Sequence, residues 1–142
     1  MKMTKKYKIL AKYIKDISGE TPDLDTYLHV REKITKYKLN VDINSKPLKN
    51  KIVEINTSLK FEDKNEDKKK AHFEILFSSI VKINEEVQDK KELQKIILCD
   101  VQIDIYPDLE KSFLNLLHNS GYTGFKFEKK IDFVSLYNKN FN

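Results

Sequence analysis

Lys36-Tyr37-Lys38-Leu39-Asn40-Val41-Asp42-Ile43 puts an apolar side chain at every second residue from Tyr37 onward. Successive side chains of an extended chain point to opposite faces, so this run predicts a strand with one buried and one wet face. Ser45-Lys46-Pro47-Leu48-Lys49-Asn50 follows as a polar loop with a proline breaker. A second strand is predicted from Ile52 to Phe61, with Val53, Ile55, Thr57, Leu59 and Phe61 on one face. Glu62 to Lys70 is almost wholly charged and reads as an exposed hairpin loop. A third strand is predicted from Ala71 to about Ile83, carrying Phe73, Ile75, Phe77, Val81 and Ile83. Toward the N-terminus, Tyr7, Ile9, Ala11 and Tyr13 alternate as a further, weaker strand. Short links without a crossover helix predict one four-stranded antiparallel sheet.

Beyond Ile83 the period changes. Leu93, Ile96 and Ile97 stand at helical spacing, whereas Asp100 to Tyr106 alternates again and is ambiguous. Pro107 fits the first position of a new helix, with Asp108 and Glu110 in the turn where the macrodipole favours acids. Leu109, Phe113, Leu116 and Leu117 form its apolar stripe, and Gly121 is placed to end it in the left-handed conformation. Asp132 is a good N-cap for a last helix with Phe133, Leu136 and Tyr137 on one face. A sheet followed by two or three helices is an α+β layout. The chain is expected to form one domain over residues 1–142, with flexible ends at 1–6 and 140–142.

Of the 142 residues, 35% are charged and 39% hydrophobic, which argues for a packed domain under a coat of lysine. No apolar run is long enough to span a membrane, and Ile9 to Ile17 is broken by Lys12, Lys15 and Asp16, unlike a signal-peptide core. Cys99 is the single cysteine, and His29, His72 and His118 are widely spaced. A cytoplasmic protein without a metal is expected. Net charge is +5, yet only one of the 27 basic residues is an arginine, Arg31. Nucleic-acid readers usually rely on arginine for bidentate contacts, so a solvated lysine surface is the favoured reading.

Catalytic patterns are missing from the sequence. Three glycines leave no phosphate-cradling loop. Cys99 follows Ile96-Ile97-Leu98 and reads as a buried thiol. His72 and Glu74 share a strand face without a third partner, and Glu85-Glu86 and Asp63, Glu66 and Asp67 lie in polar runs. Neither an enzyme nor a cofactor is expected. One oddity is positive: Leu76 and Ile80 sit opposite Phe73, Ile75 and Phe77, so the third predicted strand is apolar on both faces. A partner subunit or an apolar ligand must cover the second face.

Tyr13-Ile14-Lys15-Asp16-Ile17-Ser18-Gly19-Glu20-Thr21-Pro22 resembles the N-terminal signature of the SecB family of bacterial export chaperones, Tyr-x-Lys-Asp-Ile-Ser-x-Glu-x-Pro. Phe73-Glu74-Ile75 through Ser78-Ser79-Ile80 is similar to the family's fourth strand, with serines for paired glycines. Cys99, Pro107, Asn119-Ser120-Gly121 and Ile131-Asp132-Phe133 then follow in family order. The resemblance implies a homotetramer, built as a dimer of dimers, that uses no nucleotide. It holds unfolded preproteins and passes them to the SecA motor. Tyr37, Leu39 and Val41 match positions lining a client groove, and Phe133 and Leu136 are expected to form a wall; ordinary core is the competing reading. Asp16, Glu20 and Glu74 match acids that dock SecA, while His72 stands where the family has an apolar contact residue. Three departures stand out: the basic net charge, Gly121-Tyr122-Thr123-Gly124 where the family has Gly-x-Phe-Pro, and the charged 63–70 loop. The alternatives are a SecB-like chaperone for an antitoxin and, in another class, a basic nucleic-acid-binding module.

Overall fold

The computed structural model describes residues 6–63 and 70–141, with side chains to Lys139. Of the ends expected to be flexible, Lys6 is exposed and ion-paired with Glu92, and the last helix runs to Phe141. The rest of those ends, and most of the charged loop, lie outside the described residues.

In chain order the elements are β1 (Tyr7–Glu20), α1 (Leu24–Lys33), a 3-10 turn (Ile34–Lys36), β2 (Lys38–Pro47), β3 (Ile52–Glu62) and β4 (His72–Ile83). Then follow α2 (Lys90–Lys95), a wider π turn (Ile96–Asp100), α3 (Val101–Asn119) and α4 (Phe133–Phe141). The four strands form one sheet in the order β1-β4-β3-β2, every pair antiparallel. The α+β class is as expected. The links differ in one place: β1 and β2 occupy opposite edges, and α1 travels in the connection between them.

The register sorts the faces. Phe73, Ile75, Phe77 and Val81 of β4 share the inner face with Phe61, Leu59, Thr57 and Val53 of β3, and this face packs on α3. Val101, Ile105, Leu109, Phe113 and Leu117 are buried along α3. Spacing of four throughout is what one helical stripe demands. Counted by two, Val101, Ile103 and Ile105 imitate a strand, but Ile103 is exposed. The ambiguous 100–106 segment is therefore helix, and Pro107 lies inside α3 rather than at its start. Pro107 and Ile103, whose carbonyl an N–H at 107 would have met, are both exposed, so water can serve that carbonyl.

The π turn has its own support. Val101 N–H reaches back to Ile96 O, leaving Ile97 O to another donor. Gln102, fully buried, donates to Ile97 O at 3.1 Å and accepts from Thr57 Oγ1 of β3 at 2.9 Å. One side chain thus completes the helix and pins it to the sheet. At the far end Gly121 has φ of 104°. Gly121 N–H and Tyr122 N–H donate to His118 O and Leu117 O, the pair of bonds that closes a helix on a left-handed glycine. A Cβ at Gly121 would stand 2.6 Å from the ring of Tyr27, which holds α1 there by donating to Gly121 O.

Other boundaries moved. β1 extends to Glu20, with irregularities at Leu10 and Lys15 that let it bend. Ser45, Lys46 and Pro47 belong to β2, not to a loop; on an edge strand a proline without an N–H is tolerated. α1 was absent from the sequence reading, although Asp23 caps it by accepting from Thr26 N–H, and Thr26, Val30 and Ile34 are buried at spacing of four. Asp132 accepts from Ser135 N–H, as an N-cap should.

Candidate functional site

The inner face of β2 is an apolar surface that the described helices leave partly open. Leu39, Val41 and Ile43 pair with Phe61, Leu59 and Thr57 and pack on the core, yet remain half-buried because β2 is an edge strand. A hollow of about 220 Å³ lies at one end of this row, lined by Tyr37, Leu39, Phe61, Phe125 and Phe127. A second, of about 580 Å³, lies at the other end between Ser45 and Lys90, Leu93, Ile97 and Leu98. Leu39 and Ser45 are six residues apart in one strand, roughly 20 Å at the extended rise. An extended chain of about seven residues could follow the row from one hollow to the other.

The expected groove residues divide. Leu39 and Val41 border this channel. Tyr37 is buried just ahead of β2, its hydroxyl accepting from Ala71 N–H at 3.1 Å and its ring tilted on Phe61 at 5.4 Å; it forms the floor of the smaller hollow. Phe133 lies in the core, edge-on to Tyr106 at 5.5 Å, and Leu136 is 42% exposed on α4. The face of α4 that points inward is Phe133 and Tyr137, at spacing of four, so Leu136 does not share it. Within one chain these α4 residues do not line either hollow. Phe125 and Phe127, which crowd Phe61 at 5.3 and 5.6 Å, were missed. Their signal was present as two aromatics one residue apart, flanking Lys126.

A second surface is the outer face of the sheet. α3, which packs on β4, lies on the opposite face with Phe73, Ile75 and Phe77. Glu20 pairs with His72, Ser18 with Glu74 and Asp16 with Leu76, so all four expected docking residues share this face. His72 stands between two carboxylates, with Glu62 at 3.4 Å and Glu74 at 3.5 Å, and Lys60 is 4.0 Å from Glu74. Leu76 and Ile80 are half-buried here, and Tyr13 is 45% exposed, so an apolar strip runs beside the acids.

Burial pushes the Cys99 thiol up, away from the thiolate a nucleophile needs. Among the described residues no group of three or more His, Cys, Asp and Glu side chains could hold a metal, and no helix is long and apolar enough to cross a membrane. An open cleft of about 760 Å³ between β1, α2 and α4 is lined by charges of both signs, Lys6 and Glu92 already paired across it.

An edge-strand channel, and an outer sheet face where carboxylates and lysines flank an apolar strip, suit a protein that handles other chains. The family described as preprotein translocase subunit SecB matches residues 1–142. The chain belongs to the SecB family. It is 64% identical over 140 residues to a protein of Pelagibacter ubique that carries the name of the export protein SecB, covering 99% of this chain and all of that one. It is 24% identical over 135 residues to the protein-export protein SecB of Bartonella quintana, covering 94% of this chain and 82% of that one. In structure it is similar to a SecB-like chaperone of Mycobacterium tuberculosis, solved with a peptide from the HigA1 antitoxin. The TM-score is 0.60 at 14% identity, over 80% of each chain, so that likeness speaks to the fold alone. SecB membership supports a chaperone of protein export and gives no indication of catalysis.

Proposed function

We propose that this SecB protein is an ATP-independent chaperone that holds unfolded preproteins along β2 and delivers them to SecA. The observation that carries the reading is the half-buried row Leu39, Val41 and Ile43, running between two hollows on an open edge. An unfolded client buries apolar side chains there, gaining about 25 cal/mol per Å² before ordering costs. The edge of β2 also offers backbone groups to an added strand. Each site is weak, and several sites in one assembly give avidity, so a homotetramer built as a dimer of dimers suits the role. In such an assembly α4, with Phe133 and Leu136, would wall a neighbour's channel rather than its own. Asp16, Glu20 and Glu74, with His72 among them, would dock SecA on the outer face, where surface charge steers and orients a basic partner. The whole chain would act as one domain in the cytoplasm.

Those acids support delivery to SecA over service to an antitoxin. Against a nucleic-acid module stands the shortage of arginine, with Arg31 alone among 27 basic residues. The test is light scattering with and without a reduced, unfolded polypeptide, followed by addition of SecA. The expected result is a tetramer that takes up the client and then binds SecA. A monomer that takes up no client would sink the reading. Client uptake without SecA binding would favour the antitoxin role, and tight, steeply salt-dependent binding of nucleic acid would favour the third.

A further inference from the structure

The two hollows differ in charge. At the aromatic hollow Lys126 and Glu128 are both exposed on the rim, one of each sign. At the aliphatic hollow the rim carries Lys90 and Lys91, and no carboxylate lines it. Both lysines are exposed, and among the described residues neither has an ion pair. The nearest acid in sequence, Asp89, turns back to cap α2 by accepting from Lys91 N–H at 3.3 Å, and it lines the other cleft. Glu92, next along α2, is engaged by Lys6. The channel therefore ends at two lysines on one side only, Lys90 facing this hollow and Lys91 standing between it and the cleft that holds Asp89 and Glu92.

We infer that the channel selects extended client segments whose apolar stretch ends in aspartate or glutamate, the acids lying about six or seven residues from the side chain seated in the hollow beside Phe125 and Phe127. This rests on the chaperone reading and adds a polarity to it. An aromatic or branched side chain fills the smaller hollow, the next apolar residues follow Leu39, Val41 and Ile43, and the acidic end meets Lys90 and Lys91. A segment ending in lysine would bring like charges together at the same place. The effect is on exposed pairs, so it is modest and fades with salt.

The test uses peptides of about nine residues carrying a neutral dye. All have a phenylalanine near one end and the same leucine-rich middle. The other end is Asp-Asp, Ser-Ser or Lys-Lys, and each is made in both chain directions. In fluorescence anisotropy at low salt, the best Asp-Asp peptide should bind about five-fold tighter than its Lys-Lys counterpart, with the gap closing at high salt. In Lys90→Glu/Lys91→Glu the order should reverse. Acids are favourable in the first turn of a helix, so this variant keeps α2 formed, which circular dichroism checks. Equal binding of the Asp-Asp and Lys-Lys peptides by the wild type, or an unchanged order in the variant, would overturn the charge selection and leave the chaperone reading standing. Failure of every peptide, together with failure of an unfolded polypeptide to bind, would overturn the chaperone reading as well.

Discussion

Leu39 is the side chain on which the channel turns. It pairs with Phe61, borders the aromatic hollow and stays half-buried at a sheet edge. Leu39→Arg would place a charge where an apolar client side chain must lie. Client uptake should fall more than about ten-fold, with assembly mass and circular dichroism unchanged, because the guanidinium can reach water from an edge position. Normal uptake would take Leu39 out of the site. The sequence marked Leu39 and Val41 correctly as apolar positions facing one way, but alternation alone cannot tell floor from rim. Tyr37 and Phe133 show why: each obeys its period and each is buried, Tyr37 by Phe61 and the bond from Ala71 N–H, Phe133 by Tyr106. Local chemistry was easier to read. Asp132 as a cap and Gly121 as a left-handed terminator depend on neighbours within a few residues, and both are as expected.

At the scale of elements, β2, β3 and β4 were legible because each repeats a period of two over most of its length. α3 was legible from Pro107 onward but not in its first turns, because Val101, Ile103 and Ile105 satisfy two periods at once and only burial separates them. The π turn that precedes α3 leaves no pattern in sequence; Gln102 is its trace. Gln102→Leu should lower the urea midpoint, with the slope unchanged, by the equivalent of about 2–4 kcal/mol. Thr57 Oγ1 and Ile97 O would both be left buried and unpaired. β1 is tied to α3 by Tyr7, whose hydroxyl donates to Asp104 and approaches Asp100 O at 3.2 Å. Burial, and next the bond to Asp104, push the Tyr7 phenol above its ordinary range. The folded chain therefore keeps a proton that the unfolded chain releases, and this contribution to stability is lost as pH rises past about 10. Tyr7→Phe should be less stable at neutral pH by about 1 kcal/mol and lose less of its stability between neutral and alkaline pH. An alkaline limb identical to wild type in urea titrations would contradict this.

For the whole molecule, the sequence already required something to cover the second face of β4, and the outer face with Leu76 and Ile80 fits that requirement. What it could not supply was the order of strands. That order follows from β1 crossing to the far edge, and the crossing segment holds α1, whose Thr26, Val30 and Ile34 stripe is too sparse to stand out. On the proposal of a dimer of dimers, light scattering should give four times the mass of one chain. Replacing Ile14 and Ile17, 43% and 42% exposed on β1, by lysine should lower that mass. A wild-type mass equal to one chain would remove the assembly.

β1 also bears on how such a protein keeps its shape. Of its 14 residues only Tyr7 and Ile9 are better than exposed, and β4 is its sole neighbour in the sheet. A ribbon so thinly clad draws little hydrophobic support from its own chain. Dilution should then loosen it: the melting temperature should climb with protein concentration, as it does when folding and association are one equilibrium.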